Sequence, residues 1–239
     1  MDRMVILLFF ALSAQGQVDL KLNRPQKLAA VKASSILPHY LARIIRKYPK
    51  ELLAGVDAGF ARPSGEVSRD RLLAESEKIT QMVDNHAPFA HVVWQMGFVS
   101  GLLAVYTDPA NSLEPAHKGA FSSYCNLKLP RFLFVFPGWA SWPKTVGEMR
   151  SLLDAYAEQR TDHARVLGRH YSGLPPGKTV VFPEQHPVFG VGSLYFSNLA
   201  GLSARLWRHA WHQASGDAQL TPFEGEQRSP VLAPAVSGK

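Results

Sequence analysis

The sequence predicts an all-α protein, a multi-helix bundle with long loops, and two observations carry that prediction. Apolar residues recur at helical spacing in several separate stretches, each bounded by proline or glycine. Between them, the run Phe89–Tyr106 contains no charged residue, as expected of a helix at the centre of a bundle.

The first residues point to export. Val5 to Leu12 form an unbroken apolar run, followed by small and polar residues with Ala14 and Gly16 at the −3 and −1 positions before Gln17. Such a run is too short to span a bilayer but fits the core of a secretory signal peptide. Residues 1–16 are therefore expected to be a signal segment, and the mature chain periplasmic or secreted. Residues 17–216 form the expected single helical domain. Residues 217–239 turn polar and proline-bearing without periodicity, and are expected to be a disordered tail.

Leu37, Leu41, Ile44, Ile45 and Tyr48 fall on one helical face, with Pro38 compatible with its first turn and Pro49 closing it or opening the next helix. Gly55, Gly59, Pro63 and Gly65 are read as a loop. Ser68 is a good N-cap for a helix whose buried stripe is Leu72, Leu73, Ser76, Ile79, Met82 and Val83. The uncharged run from Phe89 contains His91, Gln95 and Ser100, which favours a buried central helix over a transmembrane span. Its Gly97 and Gly101, four residues apart, would let a neighbouring helix approach closely. Leu129 to Pro137 reads as an extended segment or short helix laid over the core. Met149, Leu152, Leu153 and Tyr156 start a long amphipathic helix ending near His170. Gly173, Pro175, Pro176 and Gly177 break the chain, and a last helix runs from about Pro187 to Ala214.

The chain carries 26 Lys and Arg against 19 Asp and Glu, a net charge of +7. The imbalance is concentrated near the N-terminus. Between Gln17 and Lys50, Lys21, Arg24, Lys27, Lys32, Arg43, Arg46, Lys47 and Lys50 stand against Asp19 alone. Anionic lipid or an envelope polymer is the partner such a stretch suggests, through Arg43, Arg46, Lys47 and Lys50. A solvated basic face explains it as well. No aromatic platform of the kind used by single-strand binders interleaves these cations. The one cysteine, Cys125, excludes an internal disulfide and is expected to be buried.

Nine histidines raise the question of a metal, yet none has a carboxylate or histidine four residues on. His209 and His212, and separately His163 and His170, could share a helix face, with solvation or capping as the simpler reading. Asp84, His86 and His91 cluster around Pro88 at a helix junction, where capping by Asp84 or Asn85 accounts equally for the polarity. Asp154, Glu158 and Asp162, followed by Arg165 and Arg169, read as a solvent face. There is no phosphate-cradling glycine loop, no G-x-S-x-G and no H-E-x-x-H.

The run from Pro88 to Gly101 resembles a central helix of bacterial exported proteins related to zinc-dependent phospholipase C and the single-strand-specific zinc nucleases. Lys128 to Phe132 with Val135 and Phe136, and Phe189 to Tyr195 leading into Leu206 and Trp207, resemble the same superfamily in the same order. The resemblance implies an all-α bundle around a zinc cluster that activates water against a phosphodiester. It also places an expected histidine at Gly101, an aspartate at Val105 and a further histidine near Asn111. Glycine and valine cannot bind zinc. The expectation is therefore a non-catalytic member with a binding or envelope role, holding no cofactor. The alternative is a zinc-dependent phosphodiester hydrolase with rearranged ligands, drawn from Asp84, His86, His91, Asp108 and His117.

Overall fold

Proline or a capping side chain ahead of an apolar stripe starts most helices of this chain. The computed structural model describes residues 24–139, 142–175, 178 and 180–216; the expected signal segment 1–16 and the expected tail 217–239 lie outside the described residues. Among these there are eight α-helices and no strand. They are α1 (Pro25–Ser35), α2 (His39–Lys47), α3 (Pro49–Phe60), α4 (Arg69–Asp84), α5 (Phe89–Thr107), α6 (Pro115–Lys128), α7 (Val146–Tyr171) and α8 (Pro187–Gln213). Pro25, Pro49, Pro115 and Pro187 each occupy a first helical turn, where the missing N–H costs nothing. Pro38 instead sits at the N-cap of α2. The Ser68 hydroxyl accepts from Arg71 N–H to start α4. Thr145 and Glu148 form a reciprocal capping box that starts α7.

The long uncharged helix α5 is the axis of the bundle. It has the length and composition of a membrane span, but 72% of its most apolar 18-residue window is buried inside the fold. Its partners bond to its backbone as well as packing on it. Trp207 Nε1 donates to Met96 O at 2.9 Å, Tyr195 Oη donates to Ala104 O at 2.8 Å, and the Ser100 and Ser203 hydroxyls meet at 2.7 Å. Each of these ties α5 to α8. Gln95 Nε2 donates to Glu75 O at 3.0 Å and so ties α5 to α4.

Gly55 and Gly59 correct the loop reading, because both lie inside α3 and face α5. A Cβ on Gly55 would overlap the carbonyl oxygen of Trp94, and one on Gly59 that of Phe98. From the other side, a Cβ on Gly97 would overlap Leu52 O, and one on Gly101 would overlap Val56 O. Contact positions rise together along the two helices, so α3 and α5 run parallel with backbone against backbone. Glycine costs about 1 kcal/mol relative to alanine in a helix, and close approach is what it gains here.

Two apolar clusters share the molecule. The larger gathers α1 to α5, the start of α7 and the second half of α8, and includes Leu41, Leu72, Ile79, Met96, Leu102, Met149 and Trp207. The smaller joins α6, the end of α7, Phe182 and the start of α8, and half of its buried residues are aromatic. Residues 132–137 cross α8 without regular secondary structure, with Phe132, Phe134 and Phe136 half-buried and Leu133 and Val135 exposed. Ser197 Oγ fastens this strap, donating to Leu133 O at 2.9 Å and accepting from Val135 N–H at 3.2 Å.

Candidate functional site

The positions that the zinc resemblance singles out are packed against the fold's own backbone. At residue 101 the space a side chain would need is taken by Val56 O and by Phe60 N of α3. Val105 is buried. Asn111 Nδ2 donates to Val105 O at 2.6 Å, while its Oδ1 accepts from Lys118 Nζ, so this amide closes the end of α5. The residues present do not fit a zinc cluster at these positions.

The rearranged ligand set is not brought together either. Asp84, His86 and His91 are all exposed around the α4–α5 junction. His86 takes a left-handed backbone, φ 54°, and forms the C-terminal cap of α4. Its N–H donates to Val83 O at 3.0 Å and Ala87 N–H to Met82 O at 2.8 Å, the paired bonds of a Schellman motif. Asp108 is half-buried at the end of α5, where its carboxylate accepts from Ala110 N–H at 2.8 Å. Burial pushes its carboxyl up, offset by that N–H and by Lys118 and Arg160. His117 is buried in the aromatic cluster, 5.8 Å from the Tyr171 ring, with Nε2 at 3.3 Å from Leu174 O. Among the described residues, no group of three or more His, Cys, Asp or Glu is placed to hold a metal ion.

Several of the other polar side chains singled out in the sequence are accounted for by burial or by a partner within the fold. Cys125 is buried, and burial pushes its thiol well above the ordinary range, which leaves it a poor nucleophile. Asp154 accepts both oxygens' worth of hydrogen bonding from Arg69 Nη1 at 2.8 Å, tying α7 to α4, and Asp162 pairs with Arg165. His170 meets His186 rather than His163, with ring centroids 4.5 Å apart. His212 stands edge-on to Trp142 at 5.3 Å.

The basic N-terminal region is where exposed chemistry accumulates. Leu41, Ala42 and Ile45 bury one face of α2, which leaves His39, Tyr40, Arg43, Arg46 and Lys47 on the other. These five residues line an open groove of about 620 Å³, and Lys50 is exposed at the start of α3. Arg46 Nε donates to Ala42 O at 3.2 Å. Among the described residues, no carboxylate lies within 4.0 Å of Arg43, Arg46, Lys47 or Lys50. By contrast Arg24 and Lys27, equally basic in the sequence, converge on Asp57, with Lys27 Nζ at 2.7 Å. His39 and Tyr40 were not among the residues singled out from sequence. Tyr40, 52% exposed, is three residues from Arg43 and so shares its face; that spacing was the available signal.

Compared with family models, with curated proteins and with solved structures, the chain gives no match to any of the three.

Proposed function

We propose that this is a non-catalytic envelope-binding protein that docks on anionic lipid headgroups through the exposed face of α2. Arg43, Arg46 and Lys47 share one exposed helix face with no carboxylate within 4.0 Å among the described residues, and that is the observation that carries the reading. A surface ion pair is screened and weak, but several unpaired cations facing a negative membrane add, at about 1 kcal/mol each. The exposed Tyr40 ring among them favours a lipid interface over a soluble polymer, because an amphipathic aromatic residue is suited to the headgroup layer. Helix α2 is anchored by Leu41 and Ile45, each almost fully buried, so the face is presented without a folding step.

The all-helical architecture is compatible with descent from the phospholipase C and zinc nuclease superfamily. The backbone packing at Gly101 supports placing the chain among members that bind rather than hydrolyse. An exported location would bring the α2 face to an envelope membrane.

Co-sedimentation with vesicles tests the reading. The intact protein is expected to bind vesicles rich in anionic lipid and not zwitterionic ones, and to release as salt is raised. The triple reversal Arg43→Glu, Arg46→Glu, Lys47→Glu should abolish binding while leaving the helical circular dichroism unchanged. Equal binding by the folded triple variant would overturn the proposal.

A further inference from the structure

The face of α2 that carries the docking reading holds one group whose charge is not fixed. His39 is exposed and lines the same open groove as Tyr40, Arg43, Arg46 and Lys47. It stands four residues before Arg43, seven before Arg46 and eight before Lys47, so these side chains lie along one stripe of the helix. At a rise of about 1.5 Å per residue the stripe is about 12 Å long, little more than the Debye length of about 8 Å at physiological salt. A charged surface that attracts one of these side chains therefore acts on all of them.

The start of the stripe is held as firmly as its middle. Ile36, Leu37 and Pro38 are buried, and Trp139 Nε1 donates to Ile36 O at 3.2 Å just ahead of α2. His39 thus begins the helix at a fixed place. Helix α2 packs on α1, α3 and α5. Their titratable groups are Lys27 and Lys32 on α1, Lys50, Glu51 and Asp57 on α3, and His91 and Tyr106 on α5. Asp57 is taken by Lys27 at 2.7 Å and by Arg24 at 3.7 Å. Among the described residues, no carboxylate lies within 4.0 Å of His39. A charge on this ring is open to a partner outside the chain.

Histidine is the side chain whose charge ordinarily changes between about pH 5 and 8, while arginine and lysine stay charged throughout. We infer that acid strengthens docking on anionic lipid, with His39 supplying α2 with a further cation beside Arg43, Arg46 and Lys47. The inference rests on the lipid-docking reading and adds its regulation. Its sign follows from linkage. A negative surface favours the charged imidazole, so the ring holds its proton more tightly on the membrane than in solution. The extra affinity is full below the pH at which the free ring takes its proton. It is lost as the pH rises through the higher value that holds on the membrane. One more cation near an anionic surface amounts to about a fivefold gain in affinity.

Co-sedimentation with vesicles of phosphatidylglycerol in phosphatidylcholine tests this, because the charge of that surface does not change over the histidine range. The intact protein should bind about fivefold more tightly at about pH 5.5 than at about pH 8, with circular dichroism showing it folded at both. His39→Gln should bind as the intact protein does at the higher pH and lose most of the gain on acidification. His39→Lys should bind at both pH values as tightly as the intact protein does at the lower one. His91→Gln, on α5, should keep the full pH dependence. Equal binding of the intact protein at both pH values, or a pH dependence that survives in His39→Gln, would overturn the inference and leave the docking reading standing. No binding at either pH would overturn both.

Discussion

The two halves of this molecule are held together in opposite ways. Along α3 and α5 the contact is made by backbones, with four glycines between them and no room for one added methyl group. At the other end, Phe121, Tyr124, Tyr171, Phe182 and Phe196 fill the space between α6, α7 and α8 with rings. Tyr124 and Tyr171 stand edge-on to Phe182 at 5.7 and 5.6 Å. The first contact is intolerant of gain and the second of loss. The difference also separates rigidity from adjustability. A parallel helix pair in backbone contact can only separate as a unit, whereas a ring lost from a cluster leaves neighbours that can partly collapse.

Substitutions should expose this asymmetry, the largest effect coming first. Gly97→Ala forces α3 away from α5 along its whole length, because the obstacle is the Leu52 carbonyl and not a movable side chain. A loss of about 4 kcal/mol or more is expected, read as a fall in the urea midpoint together with loss of amide-exchange protection throughout α5. Phe182→Ala should cost about 3 kcal/mol, with the lost protection confined to α6, the end of α7 and the start of α8. Should it loosen α5 equally, the two halves would be one cooperative unit and the comparison would fail.

At the α5–α8 crossing, Ser100→Ala strands the Ser203 hydroxyl in a buried site and should cost about 2 kcal/mol. The double change with Ser203→Ala should recover most of that, since it removes both partners. A double-mutant cycle checks the recovery.

The smallest expected effect is with pH. His163, His186 and His209 all have pKa values lowered from 6.5, burial being the first cause in each. The unfolded chain then binds more protons than the folded one. Stability is therefore full above pH 6.5 and declines as the pH falls from there through the lowered values. His186 adds a local consequence, because its Nδ1 accepts from Val188 N–H at 3.3 Å to cap α8 and its ring stacks on Phe182. A protonated Nδ1 cannot accept, so exchange protection at the start of α8 should fall in this range before that of α5.

Much of the larger half was legible in the sequence, and the reasons are local. Ser68 and the spaced apolar residues after it fix α4, and Met149, Leu152, Leu153 and Tyr156 fix α7, because each helix has one buried and one wet face. Gly55 and Gly59 were misread because a glycine's local preference for turns is visible in sequence, while its partner on α5 is not. Helix α1 was not read, since Ala29, Ala30 and Ala33 are small and their burial against α8 leaves no strong apolar stripe. Helix α6 was missed as well.

The candidate sites divide in the same way. Arg43, Arg46 and Lys47 share an open face because α2 is a regular helix with a plain apolar side. Asp84, His86 and His91 failed to converge because His86 turns the chain through a left-handed cap that no residue count displays.

Under the proposed reading this bundle binds and does not hydrolyse, and so needs no metal. Elemental mass spectrometry of the protein purified without chelator, paired with circular dichroism, tests it most directly. A helical, folded protein without stoichiometric metal is the expected result. About two or three zinc ions per chain, the complement that phosphodiester chemistry on paired metals requires, would contradict it and return the search to hydrolysis.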